Sequence, residues 1–155
     1  MTRKADFNAE EWATVVNGPV YAGMRVIAAD RGGTLRETMA MGRVYQEARQ
    51  NQGESVFLDE LVTSPPSIDA QRVQQAADIG TATVQHLNQA MRILEAKASR
   101  EEIDAYKTFV MTVAQTVASA HKEGGFLGIG GKEISEAEDQ ALDEISAALG
   151  APPAS

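Results

Sequence analysis

Residues 73–120, VQQAADIGTATVQHLNQAMRILEAKASREEIDAYKTFVMTVAQTVASA, decide the fold. From Val73 the apolar or small positions run Ala77, Gly80, Val84, Leu87, Met91 and Leu94, in steps of three and four that keep one helix face apolar. Lys97 and Ala98 end that pattern. Ser99 with Glu102 then has the spacing of a capping box, in which the serine oxygen takes a first-turn amide and the glutamate reaches back. The face resumes as Ile103, Tyr106, Val110, Val113, Val117 and Ala120. Two long helices joined so tightly run antiparallel. The spacing therefore predicts an antiparallel helical hairpin over about 69–98 and 100–122, at the centre of an all-α, single-domain bundle of about six to seven helices.

Toward the N-terminus, Glu54 to Val62, with Val56, Phe57, Leu58 and Leu61, reads as a short helix ending before Pro65-Pro66. Thr34 with Glu37 is a second capping box, and Leu35, Met39, Gly42 and Tyr45 mark one face of a helix to about Arg49. A mid-helix glycine costs about 1 kcal/mol relative to alanine, so Gly42 is expected where a neighbouring helix comes close. Asn8 with Glu11 opens a first helix over about Ala9 to Val16, with Trp12 as its anchor to the bundle. Asn17-Gly18-Pro19 is expected to break that helix, Pro19 suiting the first turn of a separate helix carrying Val20, Met24, Ile27 and Ala28.

Downstream of the hairpin, Lys122 to Glu138, KEGGFLGIGGKEISEAE, is a glycine-rich loop between two helices. Ser135 with Glu138 begins the last helix, which carries Leu142, Ile145 and Leu149 and stops at Gly150 and Pro152-Pro153. Residues 1–6 and 151–155 are expected to fray.

Across 155 residues the formal net charge is −8, and residues 99–155 hold 10 acidic against 4 basic side chains. Such a surface disfavours nucleic acid and anionic membranes. No cysteine is present, which removes disulfides, thiolate metal sites and thiol nucleophiles and fits a reducing compartment. The start MTRKADFNAEEW has no apolar leader core, and no run approaches about 20 apolar residues, so a cytoplasmic protein is expected.

The glycine loop invites a phosphate reading, because glycines ahead of a helix N-terminus let backbone amides cradle anions. Its spacing fails. Phe126 stands where a Walker loop needs glycine, Glu133 where it needs Ser or Thr, and Gly128-Ile129-Gly130 lacks both the third dinucleotide glycine and a preceding strand. The loop reads instead as a left-handed helix cap at Gly124 or Gly125, a turn at Gly130-Gly131, and three apolar side chains, Phe126, Leu127 and Ile129, that either fold onto the core or meet a protein partner. Glu136, Asp139 and Asp143 lie at helical steps of three and four and are the alternative, a site for a hard cation. Acids in a first helical turn are also favoured by the helix dipole without any metal. His86 and His121 have neither the Glu-x-x-His nor the His-x-x-x-His spacing of helical metal sites.

The stretch HKEGGFLGIGGKEISEAEDQALDEISAALG, residues 121–150, together with Phe7-Asn8-Ala9-Glu10-Glu11-Trp12, resembles an uncharacterised family of small all-helical bacterial proteins. That resemblance implies an all-helical fold and no assigned activity. A weaker similarity, to the tellurite-resistance B-like family, lies in Asp30-Arg31-Gly32 before Leu35 and Glu37, and in Gly131 before Ile134, Ser135 and Glu138. It implies metal binding, and it departs from the family's Asp-Gly turns at Arg31 and Gly130. No catalytic residue and no cofactor is assigned. The expected function is non-enzymatic, through protein contacts or self-association as a homodimer, with Phe126, Leu127 and Ile129 as contact residues. An acidic cation-binding stress-response protein is the second expectation.

Overall fold

Both capping boxes whose side chains can be seen close reciprocally. Asn8 Oδ1 accepts from the Glu11 amide at 2.8 Å while Glu11 Oε1 accepts from the Asn8 amide at 2.9 Å. Ser99 and Glu102 do the same at 3.2 and 2.9 Å. Each exchange satisfies two amides that a helix start leaves open. In a computed structural model the chain is described over residues 2–29, 34–53, 55–64, 79–124 and 136–150, the side chains of 34–37 and 121–124 excepted. Those residues form six α-helices: α1 (Ala9–Ala29), α2 (Thr34–Gln50), α3 (Val56–Thr63), α4 (Ile79–Lys97), α5 (Arg100–Gly124) and α6 (Glu136–Leu149). A short 3-10 turn, Lys4–Asp6, precedes them, and there is no strand among the described residues. Left-handed Gly150, φ +71°, ends α6 as its position before Pro152-Pro153 implied.

The hairpin helices are present as α4 and α5, residues 69–78 lying outside the described residues. Their predicted faces are the buried ones: Leu87, Met91 and Leu94 on α4, and Tyr106, Val110, Val113 and Val117 on α5. Yet the two pack mainly on α1 rather than on each other. Lys97 reaches Glu11 and His86 reaches Thr14, so α4 runs antiparallel to α1. Tyr106 meets Val15 and Val113 lies beside Gly23, so α5 runs parallel to it. The hairpin is therefore antiparallel, as its short link requires, with α1 seated between its arms. Helix α2 lies antiparallel along α5, with Met41 near Gly23 and the Tyr45 ring edge-on to Phe109 at 5.3 Å. Helix α6 closes the other side against α4 and α1, where Arg25 pairs with Glu144 at 3.0 Å.

Helix α1 overturns one sequence expectation. It runs unbroken through Asn17-Gly18-Pro19, and all three residues are buried in its interior. Proline at 19 has no N–H for the Val15 carbonyl, which a helix interior leaves orphaned at a substantial cost. The Tyr106 hydroxyl donates to that carbonyl at 2.8 Å from α5. One residue earlier, His86 Nε2 meets the Thr14 carbonyl at 2.8 Å from α4. Gly18 makes the first contact possible, because a Cβ there would collide with the Tyr106 hydroxyl. A tertiary hydrogen bond thus replaces the one that proline deletes.

Helix α2 corrects a second expectation. Its buried face is Ala40, Val44 and Tyr45, with Met41 and Ala48 partly covered, while Met39 is 61 % exposed. Gly42 is exposed, and among the described residues nothing lies near its Cβ direction and no helix approaches it. Of the expected face Tyr45 is buried while Met39 and Gly42 are exposed, the Leu35 side chain lying outside the description, and residues 40, 41, 44 and 48 complete the inward strip beside Tyr45. Close approach occurs on α1 instead, at Gly18 and Gly23.

Residues 2–6 are fastened rather than loose. Thr2 donates to both Glu102 oxygens, from its amide at 2.9 Å and its hydroxyl at 2.6 Å. The Lys4 amide donates to the Glu60 carboxylate, and Lys97 Nζ donates to the Asp6 carbonyl at 2.9 Å. Phe7 follows into an aromatic cluster with Trp12 and Phe57, the ring centroids 5.4 and 6.3 Å from its own. Trp12 is the anchor its position suggested, 6 % exposed and donating through Nε1 to Ser64 Oγ at 3.0 Å. Residues 151–155 lie outside the described residues.

Tyr106→Phe strands the buried Val15 carbonyl and is expected to destabilise by about 1–3 kcal/mol in chemical denaturation. Gly18→Ala overpacks the same point and is expected to cost about 1–3 kcal/mol. Its cost should be smaller in the Tyr106→Phe background, because the colliding hydroxyl is gone; strict additivity in the double-mutant cycle would contradict the pairing. Burial alone would raise the Glu102 pKa, but hydrogen bonds from Thr2 and Ser99 hold it down to about 2. The carboxylate of Glu102 is therefore expected to fasten the terminal segment above pH 4.5, its ordinary pKa, and to release it as pH falls toward about 2. The Thr2 amide shift in an NMR acid titration reports the midpoint.

Candidate functional site

His86, Tyr106 and Lys97 are held by the fold itself. His86 stacks on Tyr21 with ring centroids 4.2 Å apart, and its Nε2–H is committed to the Thr14 carbonyl. Burial lowers its pKa below 6.5, partly opposed by that hydrogen bond. Burial also pushes the Tyr106 phenol far above its ordinary range, so at neutral pH it is a hydrogen-bond donor and not a base. The Tyr45 phenol is raised likewise, by burial, and its hydroxyl has no hydrogen-bond partner among the described residues. Thr83 Oγ1, buried on α4, also has none. Lys97 is taken up by Glu11, at 2.7 Å, and by the Phe7 ring.

The sequence candidates divide in two. Phe126, Leu127 and Ile129, with Glu133, lie outside the described residues. Glu136, Asp139 and Asp143 are all exposed along α6, while Glu138 next to them is fully buried. Among the described residues no three acidic, histidine or cysteine side chains converge as a metal site. His86 is a half-buried helix-to-helix tie, and the His121 side chain lies outside the description.

Two surface features escaped the sequence reading. Met39 is the one large hydrophobic exposed among the described residues, beside open Gly42. Its spacing looked like core, and only the direction of approach of α1 and α5 exposes it. The second is a groove of about 800 Å³ between the N-terminal segment and the start of α1. Phe7, Ala9, Trp12, Ala13 and Val16 line it, with Arg3, Lys4, Glu60 and Ser64 at its margin. The only signal for it in the sequence was the pairing of Arg3-Lys4 with Phe7 and Trp12 in a segment expected to fray.

Comparison with protein-family models, curated proteins and solved structures finds no match. No helix of the described residues is long and apolar enough to cross a membrane.

The lowered His86 pKa has a definite sign. The unfolded chain takes up a proton near pH 6.5 that the folded chain refuses, so stability is complete above that pH and declines as pH falls through the folded pKa. Thermal melts from pH 8 to 5 are expected to show this decline, and His86→Gln is expected to flatten it.

Proposed function

We propose that this chain is a non-enzymatic helical-bundle protein that acts through protein contacts, self-association being the form tested first. One observation carries the reading: among the described residues His86 and Tyr106 are bound to backbone carbonyls of α1, and no three acidic, histidine or cysteine side chains converge. Met39 is exposed on α2, and the apolar triplet Phe126, Leu127 and Ile129, outside the described residues, is the contact candidate of the sequence. The acidic surface favours a partner that is basic or apolar.

Sedimentation velocity over a wide concentration range is expected to show reversible association. Phe126→Ala with Leu127→Ala is expected to weaken it by about tenfold, roughly 1.4 kcal/mol, with the melting temperature retained. Met39→Glu serves as an independent probe of α2. A sharp fall in melting temperature with association unchanged would place the triplet in the core and remove it as a contact; monomers at every concentration would remove self-association.

A further inference from the structure

Helix α5 carries no charged side chain from Thr108 to Ala120, and α2 carries none from Thr38 to Gly42. The antiparallel register of the two helices brings these spans together: Tyr45 stands against Phe109, and Met41 and Val113 meet at Gly23. The same offset sets Gly42 at the level of Thr112 and Met39 at the level of Gln115. On the outward side of the pair, Thr108, Thr112, Gln115 and Ser119 are exposed on α5, and Met39 and Gly42 on α2.

Two features of this face have no use within the described chain. Met39 is 61 % exposed, the one large hydrophobic so placed among the described residues. Gly42 lies inside α2, where glycine weakens a helix relative to alanine, yet among the described residues nothing lies within 4 Å of where its Cβ would be. An interior glycine admits a second helix, and no described helix of this chain takes the place.

The face is also its own complement. A two-fold axis laid across both helices, midway between Met39 and Gly42, exchanges those two residues. At that same level it exchanges Thr112 with Gln115 and Thr108 with Ser119, so one axis serves both helices. A symmetric dimer requires such reciprocity, residue for residue. Met39 of each copy then lies over the gap at Gly42 of the other, a large side chain against a missing one. A formal net charge of −8 makes two copies repel, and an uncharged surface bearing methionine is where they can meet without burying a charge.

We propose that a second copy of this chain docks on the α2–α5 face, α2 against α2 and α5 against α5, both antiparallel. The inference rests on the self-association reading and names the surface and symmetry through which it occurs.

The chain has no cysteine, so a single cysteine on this face forms disulfides only between copies. Met39→Cys and Gly42→Cys, each folded and full-length, are mixed under mild copper-phenanthroline oxidation. The mixture is expected to form covalent dimer about fivefold faster than either variant alone, because facing cysteines meet only in the mixed pair. Ala147→Cys, exposed on α6, is expected to stay uncoupled. Gly42→Ala is expected to raise the melting temperature by a few degrees at a dilution where the chain is monomeric, while sedimentation velocity shows association weakened about tenfold. Gly42→Glu is expected to abolish association with the melting temperature retained. Association that survives Gly42→Glu, or a mixture that couples no faster than its components, overturns this surface and leaves self-association standing. Monomers at every concentration overturn both.

Discussion

Everything in this bundle is arranged around one hydrogen bond, from the Tyr106 hydroxyl to the Val15 carbonyl. It exists because Pro19 stands inside α1 and cannot supply the N–H that the carbonyl would otherwise meet. An orphaned carbonyl at the centre of a core costs more than a hydrogen bond typically contributes, so α1 is tolerable as a single helix only once α5 is in place. Gly18 then determines how closely α5 can come, since any side chain there occupies the space of the hydroxyl. Proline, glycine and tyrosine form one device spread over two helices.

Placing α1 between α4 and α5 has consequences along its whole length. At the Pro19 turn it is gripped from both sides, by Tyr106 and by His86. At its start, Phe7 and Trp12 meet Phe57 and seat α3. Toward its end, Gly23 admits Met41 and Val113, and Arg25 reaches Glu144 on α6. Most of the large rings gather at the α1 start and along α5, and aliphatic residues from Ala to Leu and Met fill most of the rest of the core. Such a core depends on close helix approach, so its glycines matter more than their number suggests.

Polar groups at the helix starts serve architecture. Glu102 does so twice, capping α5 with Ser99 and holding Thr2 with both oxygens. That second use turns residues 2–6 into a wall and brings Arg3 and Lys4 to the lip of an apolar groove. Among the described residues, Arg3, Lys4 and Met39 are exposed side chains at the margins of this frame.

Local chemistry was legible in the sequence. Capping boxes at Asn8 and Ser99, the apolar faces of α4 and α5 and the stop at Gly150 each depend on residues within a few turns of one another, and spacing alone determines them. The all-helical class follows from the same information. Tertiary structure alone decided the rest: that Asn17-Gly18-Pro19 continues a helix, that α1 parts the hairpin, that Met39 faces out while Ala40 faces in, and that the N-terminal segment is fastened beside a groove. Each of those outcomes depends on a group far away in the chain. Tyr106 lies 91 residues from the carbonyl it satisfies, and Glu102 lies 100 from Thr2. A local pattern can report that a hydrogen bond is missing; only the packed chain can supply the donor.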